Sequence, residues 1–305
     1  MVENPCCLLT SDLHGDPGKW SALFSELRRD PPGIVLLAGD LLPAPGRDLN
    51  ALGMAAPDFI NGYLVPAFAA LRRDLGERYP RVLLIPGNDD PRFDEATLIA
   101  AAGSSHLWTY LHDHRVSIGD YTFYGYACIP PSPFLNKDWE RYDVSRYVDP
   151  GCVSPEEGRL TVPRSARDRR YGTIAGDLQR LSGTDDLSRA VFLFHAPPYD
   201  TILDTADLAG KTVDHVPLDP HIGSVAIRRF IEARSPWCTL HGHVHESFRL
   251  TGRYSQRIGE TWCISAAAEG TELAIVRFDL ADPGGAGRIS VDTRLPRDRA
   301  APRDR

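Results

Sequence analysis

Five short stretches of the chain are almost continuously apolar, and each ends in small or polar residues. Strands that are covered on both faces have this pattern, whereas strands with one face in solvent alternate between apolar and polar positions. We therefore predict five buried parallel strands. They are CCLLTSD (6–12), IVLLAGD (34–40), VLLIPGND (82–89), VFLFHAP (191–197) and WCTLHGH (237–243).

Segments with helical patterning lie between these strands. The clearest is PGKWSALFSELRR (17–29), which has proline at its start and basic residues at its end, as helices prefer. The alternation of strand and helix indicates crossover units. The other predicted helices are 58–78, 94–102, 172–181 and 223–234.

A second group of strand-like runs contains more aromatic and β-branched residues, with turn sequences such as IGDY between its members. This pattern is typical of hairpins, so we expect a second, mixed sheet. The runs are 115–118, 121–126, 261–266 and 271–280.

Residues 130–170 have no clear periodicity and are rich in proline, charged and aromatic residues. A segment of this length without periodicity is uncommon within a compact domain unless it covers a site or is disordered. Trp139, Tyr142 and Tyr147 favour an ordered, lid-like insertion. We expect one domain over residues 1–294 that carries this insertion, followed by a flexible tail at 295–305, where apolar residues are few.

The chain has 305 residues and a formal net charge of −7. This charge argues against a general nucleic-acid-binding protein, which needs a basic surface to neutralise phosphates.

The N-terminal sequence lacks the basic region and apolar run of a signal peptide, and no later stretch is long enough to span a membrane, so we expect a cytoplasmic protein. The six cysteines include no CxxC pair, and we interpret them as reduced core residues.

Each predicted buried strand ends in side chains of the kinds that bind metals. Ligands of open α/β sheets lie beyond the carboxyl ends of the strands, so we expect these side chains to meet in one crevice. Alternate residues of an extended segment point the same way, which allows both polar residues of a DxH or HxH sequence to face one point. The candidate ligands are Asp12, His14, Asp40, Asn88, His195, His243 and His245.

The candidate donors are carboxylates, imidazoles and an amide, without thiolates. This set suits manganese, iron, zinc or cobalt better than a structural zinc site. Seven side chains are more than one ion requires, so we expect two divalent or trivalent metal ions that share Asp40 as a bridge. His241 lies within an apolar strand and is expected to be a core residue or to contact a ligand. Asp16 and Asp90 each precede a proline and are expected to cap helices or to accept hydrogen bonds beside the ligands.

Five motifs in this order resemble those of the calcineurin-like metallophosphoesterases, a superfamily of phosphohydrolases with dinuclear sites. The motifs are SDLHGD (11–16), AGD (38–40), PGND (86–89), the histidine that follows VFLF, and GHVH (242–245). The resemblance extends over about residues 7–268. Three further stretches, 134–151, 214–232 and 239–247, resemble a bacterial and archaeal branch of predicted phosphoesterases, which supplies no established substrate.

The resemblance implies an α/β fold, a four-layer αββα sandwich in which helices flank two mixed β-sheets. It also implies two sets of metal ligands that have Asp40 in common. One ion would be held by Asp12, His14, Asp40 and His245, and the other by Asp40, Asn88, His195 and His243.

The sequence departs from the superfamily pattern at Asp89. Many members have a histidine here, which is taken to stabilise the transition state or to protonate the leaving oxygen. An aspartate acts as a general acid only when its pKa is raised, whereas nearby dications lower that pKa. Asp89 remains the candidate catalytic residue, with a structural or water-orienting role favoured and better turnover expected for good leaving groups. Asn88 is expected to bind a metal and to contact the phosphoryl group of the substrate.

The expected function is metal-dependent hydrolysis of a small phosphoester. We expect phosphodiesters to be preferred to phosphomonoesters, with attack by a hydroxide that bridges two metal ions roughly 3.5–4 Å apart. No membrane partner is expected. A phosphoprotein phosphatase and a non-catalytic metal-binding scaffold of the same fold are the alternatives.

Three arginines of the insertion have two interpretations. Arg141, Arg146 and Arg164 either clamp a substrate anion, as arginine does in a bidentate manner, or pair with acidic neighbours on a solvated face, which we favour. The acidic neighbours are Asp138, Glu140 and Asp143.

Overall fold

The computed structural model of the chain describes residues 6–44 and 58–294. The tail expected at 295–305 lies outside the described residues, and the division into domain and tail stays a prediction.

The strands of the described part are β1 (Cys6–Thr10), β2 (Ile34–Ala38), β3 (Arg81–Ile85), β4 (Thr109–Tyr110), β5 (His114–Ile118), β6 (Tyr121–Tyr126), β7 (Ala190–Phe194), β8 (Thr212–Val213), β9 (Val216–Pro217), β10 (Cys238–His241), β11 (Ser255–Ile258), β12 (Thr261–Ser265), β13 (Glu272–Asp279) and β14 (Asp282–Asp292).

These strands form two six-stranded sheets, and each sheet mixes parallel and antiparallel pairs. The order in the first sheet is β14-β13-β1-β2-β3-β4, with β1 to β4 parallel and β13 antiparallel to both of its neighbours. The order in the second sheet is β11-β12-β10-β7-β6-β5, with four parallel central strands and antiparallel edges. The strands β8 and β9 pair as a separate hairpin. The predicted sandwich of two mixed sheets is confirmed.

The sequence pattern was wrong about the sheet to which three strands belong. Strands β7 and β10, expected beside the other apolar strands, lie in the second sheet between β6 and β12. Strand β13, expected in the second sheet, pairs with β1 of the first, with Cys7 opposite Phe278. A strand buried on both faces is apolar in either sheet, so the pattern indicates burial without indicating the neighbours.

Alternate residues of the first sheet face two different apolar layers. In β2, Ile34, Leu36 and Ala38 pack in the core between the sheets, whereas Val35 and Leu37 pack in the layer formed with the outer helices. Successive side chains of a strand point to opposite faces, so a strand covered on both sides is apolar at every position. This packing explains the continuous apolar runs of the sequence.

All five predicted helices are present in the structure, and the first has the predicted bounds. Two short helices, α4 and α7, were not predicted because six and five residues are too few to show a helical period. In the described part of the chain, no helix is long and apolar enough to cross a membrane. The helices are α1 (Pro17–Arg29), α2 (Val65–Leu75), α3 (Glu95–Ser105), α4 (Ala166–Tyr171), α5 (Ile174–Ser182), α6 (Val225–Arg234) and α7 (Ser247–Thr251), with a π-helical turn at Ile60–Leu64 and 3₁₀ turns at Gly76–Arg78 and Arg92–Asp94.

Helix α1 begins immediately after the turn that leaves β1. The Asp16 carboxylate accepts hydrogen bonds from the backbone N–H groups of Gly18 and Lys19, at 2.8 and 3.0 Å. Such a cap stabilises a helix by about 1 kcal/mol. The predicted capping role of Asp16 is confirmed, and the cap fixes the end of the turn that carries the SDLHGD motif.

None of the six cysteines, all of which lie within the described residues, forms a disulfide bond, in line with the predicted reduced state. Four of them are buried, Cys152 is half-buried and Cys6 is exposed. The expectation that all six are core residues is therefore wrong for these two. Cys6 is the first residue of β1, where the apolar run begins but the covering layers do not yet reach.

The insertion at 130–170 is ordered, although most of it is neither helix nor strand. Its Trp139 and Tyr142 are buried, whereas Tyr147 is exposed. Charged residues are buried with these aromatics, since Lys137, Asp138 and Glu140 are each at most 1% exposed. A segment that buries three charged side chains depends on their pairing, because an unpaired buried charge is strongly unfavourable.

The three candidate arginines of the insertion are bonded to groups of the protein. Arg141 pairs with Asp168 and Asp177 at 2.9 and 3.0 Å, and Arg146 pairs with Glu156 at 2.5 Å. These contacts support the pairing that we favoured over a substrate clamp.

The expected acidic partners are wrong, and the solvated face is wrong for Arg141, which is 16% exposed, but not for Arg146, which is 48% exposed. Arg164 donates to the backbone carbonyls of Lys137 and Glu140, at 2.6 and 3.2 Å. Asp143 accepts the Val225 N–H at the start of α6 at 2.7 Å, and Asp138 accepts the Thr161 N–H at 2.7 Å. We expected the arginines to pair with acidic residues nearby in sequence. The insertion instead folds back on itself and on α6, which brings other groups into contact.

We predict that Lys137→Met lowers the free energy of unfolding by about 3 kcal/mol, because it leaves Glu140 as an unpaired buried acid. The Lys137 Nζ lies 2.5 Å from Glu140 Oε2, and burial raises the pKa of Glu140 to about 7. Urea unfolding measures the change. Adding Glu140→Gln to Lys137→Met is expected to recover part of the loss.

The matched control is Arg189→Met, which breaks an exposed pair with Asp120 at 3.0 Å and is expected to cost less than about 1 kcal/mol. Equal effects of Lys137→Met and Arg189→Met would contradict the account of the buried pair.

Candidate metal centre

Four of the predicted ligands lie on turns with a left-handed backbone. The φ angles are 59° at Asp12, 49° at His14, 53° at Asp40 and 73° at His243. Residues with a Cβ atom seldom adopt this conformation, which costs about 1–3 kcal/mol and persists only where the surroundings enforce it. Hydrogen bonds between turns enforce it here, because the N–H of Asp12 donates to Gly39 O at 3.0 Å and that of His14 donates to Asp40 O at 2.7 Å.

Two glycines leave the space that the ligands occupy. A Cβ atom on Gly87 would lie 2.2 Å from Asp40 Oδ1, and one on Gly39 would lie 2.4 Å from His195 Nδ1. Gly39 also has a φ of 95°, which a side chain would disfavour. Any other residue at either position would displace a predicted ligand.

The first group of side chains consists of the four residues that the resemblance assigned to one ion. Asp12, His14, Asp40 and His245 each offer an atom within 4.8 Å of the others. The Nε2 atoms of His14 and His245 are 3.2 Å apart, and His245 Nε2 lies 3.4 Å from Asp12 Oδ1. Two carboxylates and two imidazoles form a donor set that suits a divalent cation.

The second group surrounds His195, which is fully buried. The Nε2 atom of His195 lies 3.3 Å from Asp40 Oδ2 and 3.0 Å from Asn88 Oδ1. The ring of His243 lies 5.0 Å from that of His195, centroid to centroid. On the other side of the ring, His195 Nδ1 donates to Ala38 O at 2.7 Å, which turns Nε2 towards the group.

Asp40 belongs to both groups. Its Oδ1 accepts the backbone N–H of Asp89 at 2.8 Å. Its Oδ2 lies 3.3 Å from His195 Nε2 and 4.0 Å from His14 Nε2. One oxygen is thus held by the backbone, while the other faces imidazoles of both groups.

The arrangement of lone pairs fits a cation. Because His195 donates from Nδ1, a neutral imidazole would turn the lone pair of Nε2 towards two oxygen acceptors, Asp40 Oδ2 and Asn88 Oδ1, so that a proton or a cation is needed between them. Burial alone lowers the pKa of His195, but the Asp40 carboxylate raises that pKa to about 9. A site that attracts a proton so strongly also favours a metal ion, which satisfies the same lone pairs. The residues therefore fit a divalent metal ion.

Burial and neighbouring charges also shift the pKa values of three other candidate ligands. Burial lowers the pKa of His245, but Asp12 raises it to about 9. Burial raises the pKa of Asp40, but His195 lowers it to about 2. Burial lowers the pKa of His243 to about 3, so its imidazole is neutral at pH 7, which is the form that binds metals.

Asp89 lies beside both groups, with 43% of its side chain exposed. Its Oδ1 accepts from Asn88 Nδ2 at 3.0 Å, and its Oδ2 lies 3.5 Å from His14 Nδ1. Burial and the Asp40 carboxylate raise the pKa of Asp89. Both oxygens contact predicted ligands, one in each group, and the catalytic role of Asp89 stays a prediction.

Asp90 accepts hydrogen bonds from two of the turns that carry candidate ligands, as predicted for an acceptor beside the ligands. Its buried carboxylate accepts the backbone N–H groups of Leu41, Leu42 and Gly87, at 2.9, 2.7 and 2.8 Å. Burial and Asp40 raise the pKa of Asp90 to about 8. These bonds connect the turn after β2 with the turn after β3.

His241 is a core residue, as predicted. It is buried, with Nδ1 at 2.9 Å from Ala196 O and Nε2 at 2.8 Å from Thr239 Oγ1. Both ring nitrogens therefore have partners within the core, which leaves neither of them directed at the two groups.

Two residues that support Asp12 were not identified in the sequence. Ser11 Oγ donates to Asp12 Oδ2 at 2.6 Å, and the buried Lys19 Nζ donates to Asp12 O at 2.8 Å. The available signal for Lys19 was its place in the apolar stripe of α1, between the motif and Trp20. A lysine in such a stripe requires a buried partner.

The calcineurin-like phosphoesterase family model matches residues 7–247, well over half of the chain. No curated protein matches the sequence significantly. One solved structure is 18% identical, with 95% of this chain and 99% of its own covered and a TM-score of 0.54. The protein TT1561 of Thermus thermophilus is 17% identical, with 96% and 100% covered and a TM-score of 0.51.

A third solved structure, described as a novel archaeal phosphodiesterase, is 10% identical, with 94% of this chain and 99% of its own covered and a TM-score of 0.43. A TM-score this low shows no significant structural similarity, and the other two structures show the fold alone. The family of the chain is therefore assigned from the family model and from the site, where the residues of the five motifs meet at the ends of strands from both sheets. The chain belongs to the calcineurin-like phosphoesterase family.

Proposed function

We propose that this protein is a phosphoesterase that binds two metal ions and hydrolyses phosphodiesters in preference to phosphomonoesters. The observation that carries the proposal is the position of Asp40, whose Oδ2 faces His195 on one side and His14 on the other. A carboxylate oxygen placed between two sets of donors suits a ligand shared by two ions. The donor set favours manganese, iron, zinc or cobalt.

The residues of each proposed site are those of the two groups. Asp12, His14, Asp40 and His245 would hold one ion, and Asp40, Asn88, His195 and His243 the other. Bound ions supply a water molecule of lowered pKa as the nucleophile and positive charge for the phosphoryl oxygens. This charge also explains how a chain with a net charge of −7 binds an anion.

The protein's own contribution is to hold these donors before the substrate arrives. The N–H of Asp89 fixes Asp40, and the Ala38 carbonyl fixes the His195 ring. Donors that do not reorganise during the reaction stabilise the transition state more effectively than mobile ones. Asn88 presents its Oδ1 to the second group, and we propose that it also contacts the phosphoryl group.

We propose that Asp89 orients its neighbours instead of protonating the leaving group. Its Oδ1 holds the Asn88 amide with Nδ2 towards itself and Oδ1 towards His195. Burial and Asp40 raise the pKa of Asp89, but bound dications would lower it, and a carboxylate that already accepts this hydrogen bond is a poor general acid. The leaving oxygen then departs without a proton from the protein, which favours aryl esters and anhydrides over alkyl esters.

The preference for diesters follows from charge. A phosphomonoester dianion has one more negative charge to neutralise than a diester. The three insertion arginines that were candidates for this role are bonded to Asp168, to Glu156 and to backbone carbonyls. The metal ions would then supply most of the neutralising charge, which suits a singly charged substrate.

The cytoplasmic location and the small size of the substrate stay predictions. A phosphoprotein phosphatase requires a phosphomonoesterase activity, and a non-catalytic scaffold requires metal binding without turnover. One experiment separates these possibilities. Metal-free protein is reloaded with manganese, iron, zinc or magnesium and assayed on bis-aryl phosphate, aryl monophosphate, pyrophosphate esters and a phosphopeptide.

We expect the highest kcat/KM with the bis-aryl phosphate in the presence of manganese or another transition metal. A higher kcat/KM with the aryl monophosphate or phosphopeptide would contradict the proposed diester preference. Two bound metal ions without turnover on any substrate would identify the scaffold.

We predict that Asp40→Ala lowers metal-dependent kcat/KM on bis-aryl phosphate on the order of 10³-fold, equivalent to about 4 kcal/mol. The reason is that both groups lose the donor that they share. The matched control is Asp120→Ala, which removes an exposed carboxylate just before β6, at the end of the second sheet opposite the ligands, and is expected to retain turnover. An Asp40→Ala variant with most of its activity would contradict the shared role.

We predict that Asp89→His raises kcat/KM for an alkyl phosphodiester by about tenfold or more, while that for an aryl diester changes little. A histidine supplies the general acid that a poor leaving group requires, and such catalysis contributes about 10²–10⁴-fold where it is fully developed. The control Asp89→Asn removes the charge without adding an acid. A leaving-group dependence that is the same in all three proteins would show that Asp89 does not set it.

A further inference from the structure

Trp139 joins the insertion to the loop that follows β3. Its side chain is buried, and its Nε1 donates to Asp90 O at 2.8 Å. Two residues further along the loop, the N–H of Arg92 donates to Asp138 Oδ2 at 3.1 Å, and the Arg92 guanidinium lies 4.6 Å from the centre of the Trp139 ring. The insertion thus holds both ends of the stretch that directly follows Asp89.

The same residue, Asp90, connects this contact to the candidate metal centre. Its carbonyl accepts from Trp139, while its carboxylate accepts from Leu41 and Leu42 after β2 and from Gly87 after β3. Movement of the Asp90 main chain would therefore displace the turns that carry Asp40 and Asn88. Asn88 belongs to the second group alone, whereas Asp40 is shared with the first.

Trp139 is also fixed to the second sheet. The N–H of Ile129, three residues after β6, donates to Trp139 O at 2.9 Å, and the N–H of Arg141 donates to Ile129 O at 3.1 Å. At the end of β6, Tyr126 O accepts the N–H of His195 at 3.3 Å. Trp139 is therefore anchored beside the strand end that presents His195.

The contacts of Trp139 lie closer to the second group of candidate ligands than to the first. Trp139 connects the end of β3 with the end of β6, and these two strands contact each other across the sandwich. Asn88 follows β3, and His195 follows β7, the neighbour of β6. Asp12 and His14 follow β1, and His243 and His245 follow β10, and both strands lie two strands away from β3 and β6 in their sheets. The two ligands closest to the strands that Trp139 connects, Asn88 and His195, both belong to the second group.

We propose that Trp139 is a positioning residue, which sets the separation between the Asn88 side and the His195 side of the second group through its hydrogen bond to Asp90. The proposal rests on the two-metal site of the proposed function and does not depend on which ester is hydrolysed. A Trp139 that only fills space would affect folding stability without changing metal affinity.

The test is a calorimetric titration of the metal-free full-length chain with Mn²⁺. Trp139→Phe keeps an aromatic ring but removes the N–H donor. The matched control is Trp108→Phe, because Trp108 is buried and its Nε1 donates to Leu98 O at 3.2 Å, in the layer of helices outside the first sheet.

We expect the two tryptophan variants to lose similar thermal stability. Only Trp139→Phe is expected to weaken Mn²⁺ binding. One affinity falls by about 10–100-fold, and the other, whose group contains Asp40 but not Asn88, falls by a smaller factor. Two unchanged affinities in Trp139→Phe, or an equal loss in Trp108→Phe, would overturn the proposal.

A second comparison tests whether Trp139 acts through Asp90. Asp90→Asn is expected to weaken the same Mn²⁺ affinity, and the double variant with Trp139→Phe to lose less than the product of the two single losses, because both act on one connection. Losses that multiply would overturn the proposed route.

If Trp139→Phe does not fold, Arg92→Met serves in its place. It removes the guanidinium from the Trp139 ring and is expected to weaken the same Mn²⁺ affinity by a smaller factor, and an unchanged affinity overturns the proposal. Wild-type protein that binds Mn²⁺ but hydrolyses no ester would contradict the proposed function alone. Wild-type protein that binds no Mn²⁺ would contradict both.

Discussion

The candidate site depends on a pair of carboxylates buried where the two sheets end. Asp12 and Asp40 are almost completely inaccessible, and within residues 6–44 and 58–294 their ion pairs are all with histidines. Removing a carboxylate from water costs several kcal/mol unless its partners compensate. Backbone N–H groups, imidazoles and a bound cation are the available partners, so the geometry of the turns and the chemistry of the site depend on one another.

This dependence explains the left-handed backbone at four of the candidate ligands. Left-handed φ angles at Asp12, Asp40 and His243 aim side chains from different strands into a common space. Gly39 and Gly87 leave that space open. Hydrogen bonds between turns hold the conformation, and Asp90 links two of the turns directly. The site is thus a property of several loops that brace one another, and the sheets supply the fixed positions from which those loops begin.

Much of this arrangement could be read from the sequence, because its signals are local. Continuous apolar runs predict buried strands, and polar residues at their ends predict a shared site. The pattern of apolar and polar positions could not assign β7, β10 and β13 to the correct sheets, because a buried strand is apolar in either sheet. It also missed Lys19, whose partner is a backbone carbonyl. In the insertion, side chains pair with groups distant in sequence, as Asp143 does with the start of α6, and no periodicity records such contacts.

The proposed function requires that two metal ions share Asp40. Anomalous diffraction from crystals of the manganese-loaded protein would locate these ions. We expect two anomalous peaks, one beside His14 and His245 and the other beside Asn88 and His195, with Asp40 near both. A single peak, with Asn88 and His195 in contact with no metal at saturating manganese, would contradict the proposed function.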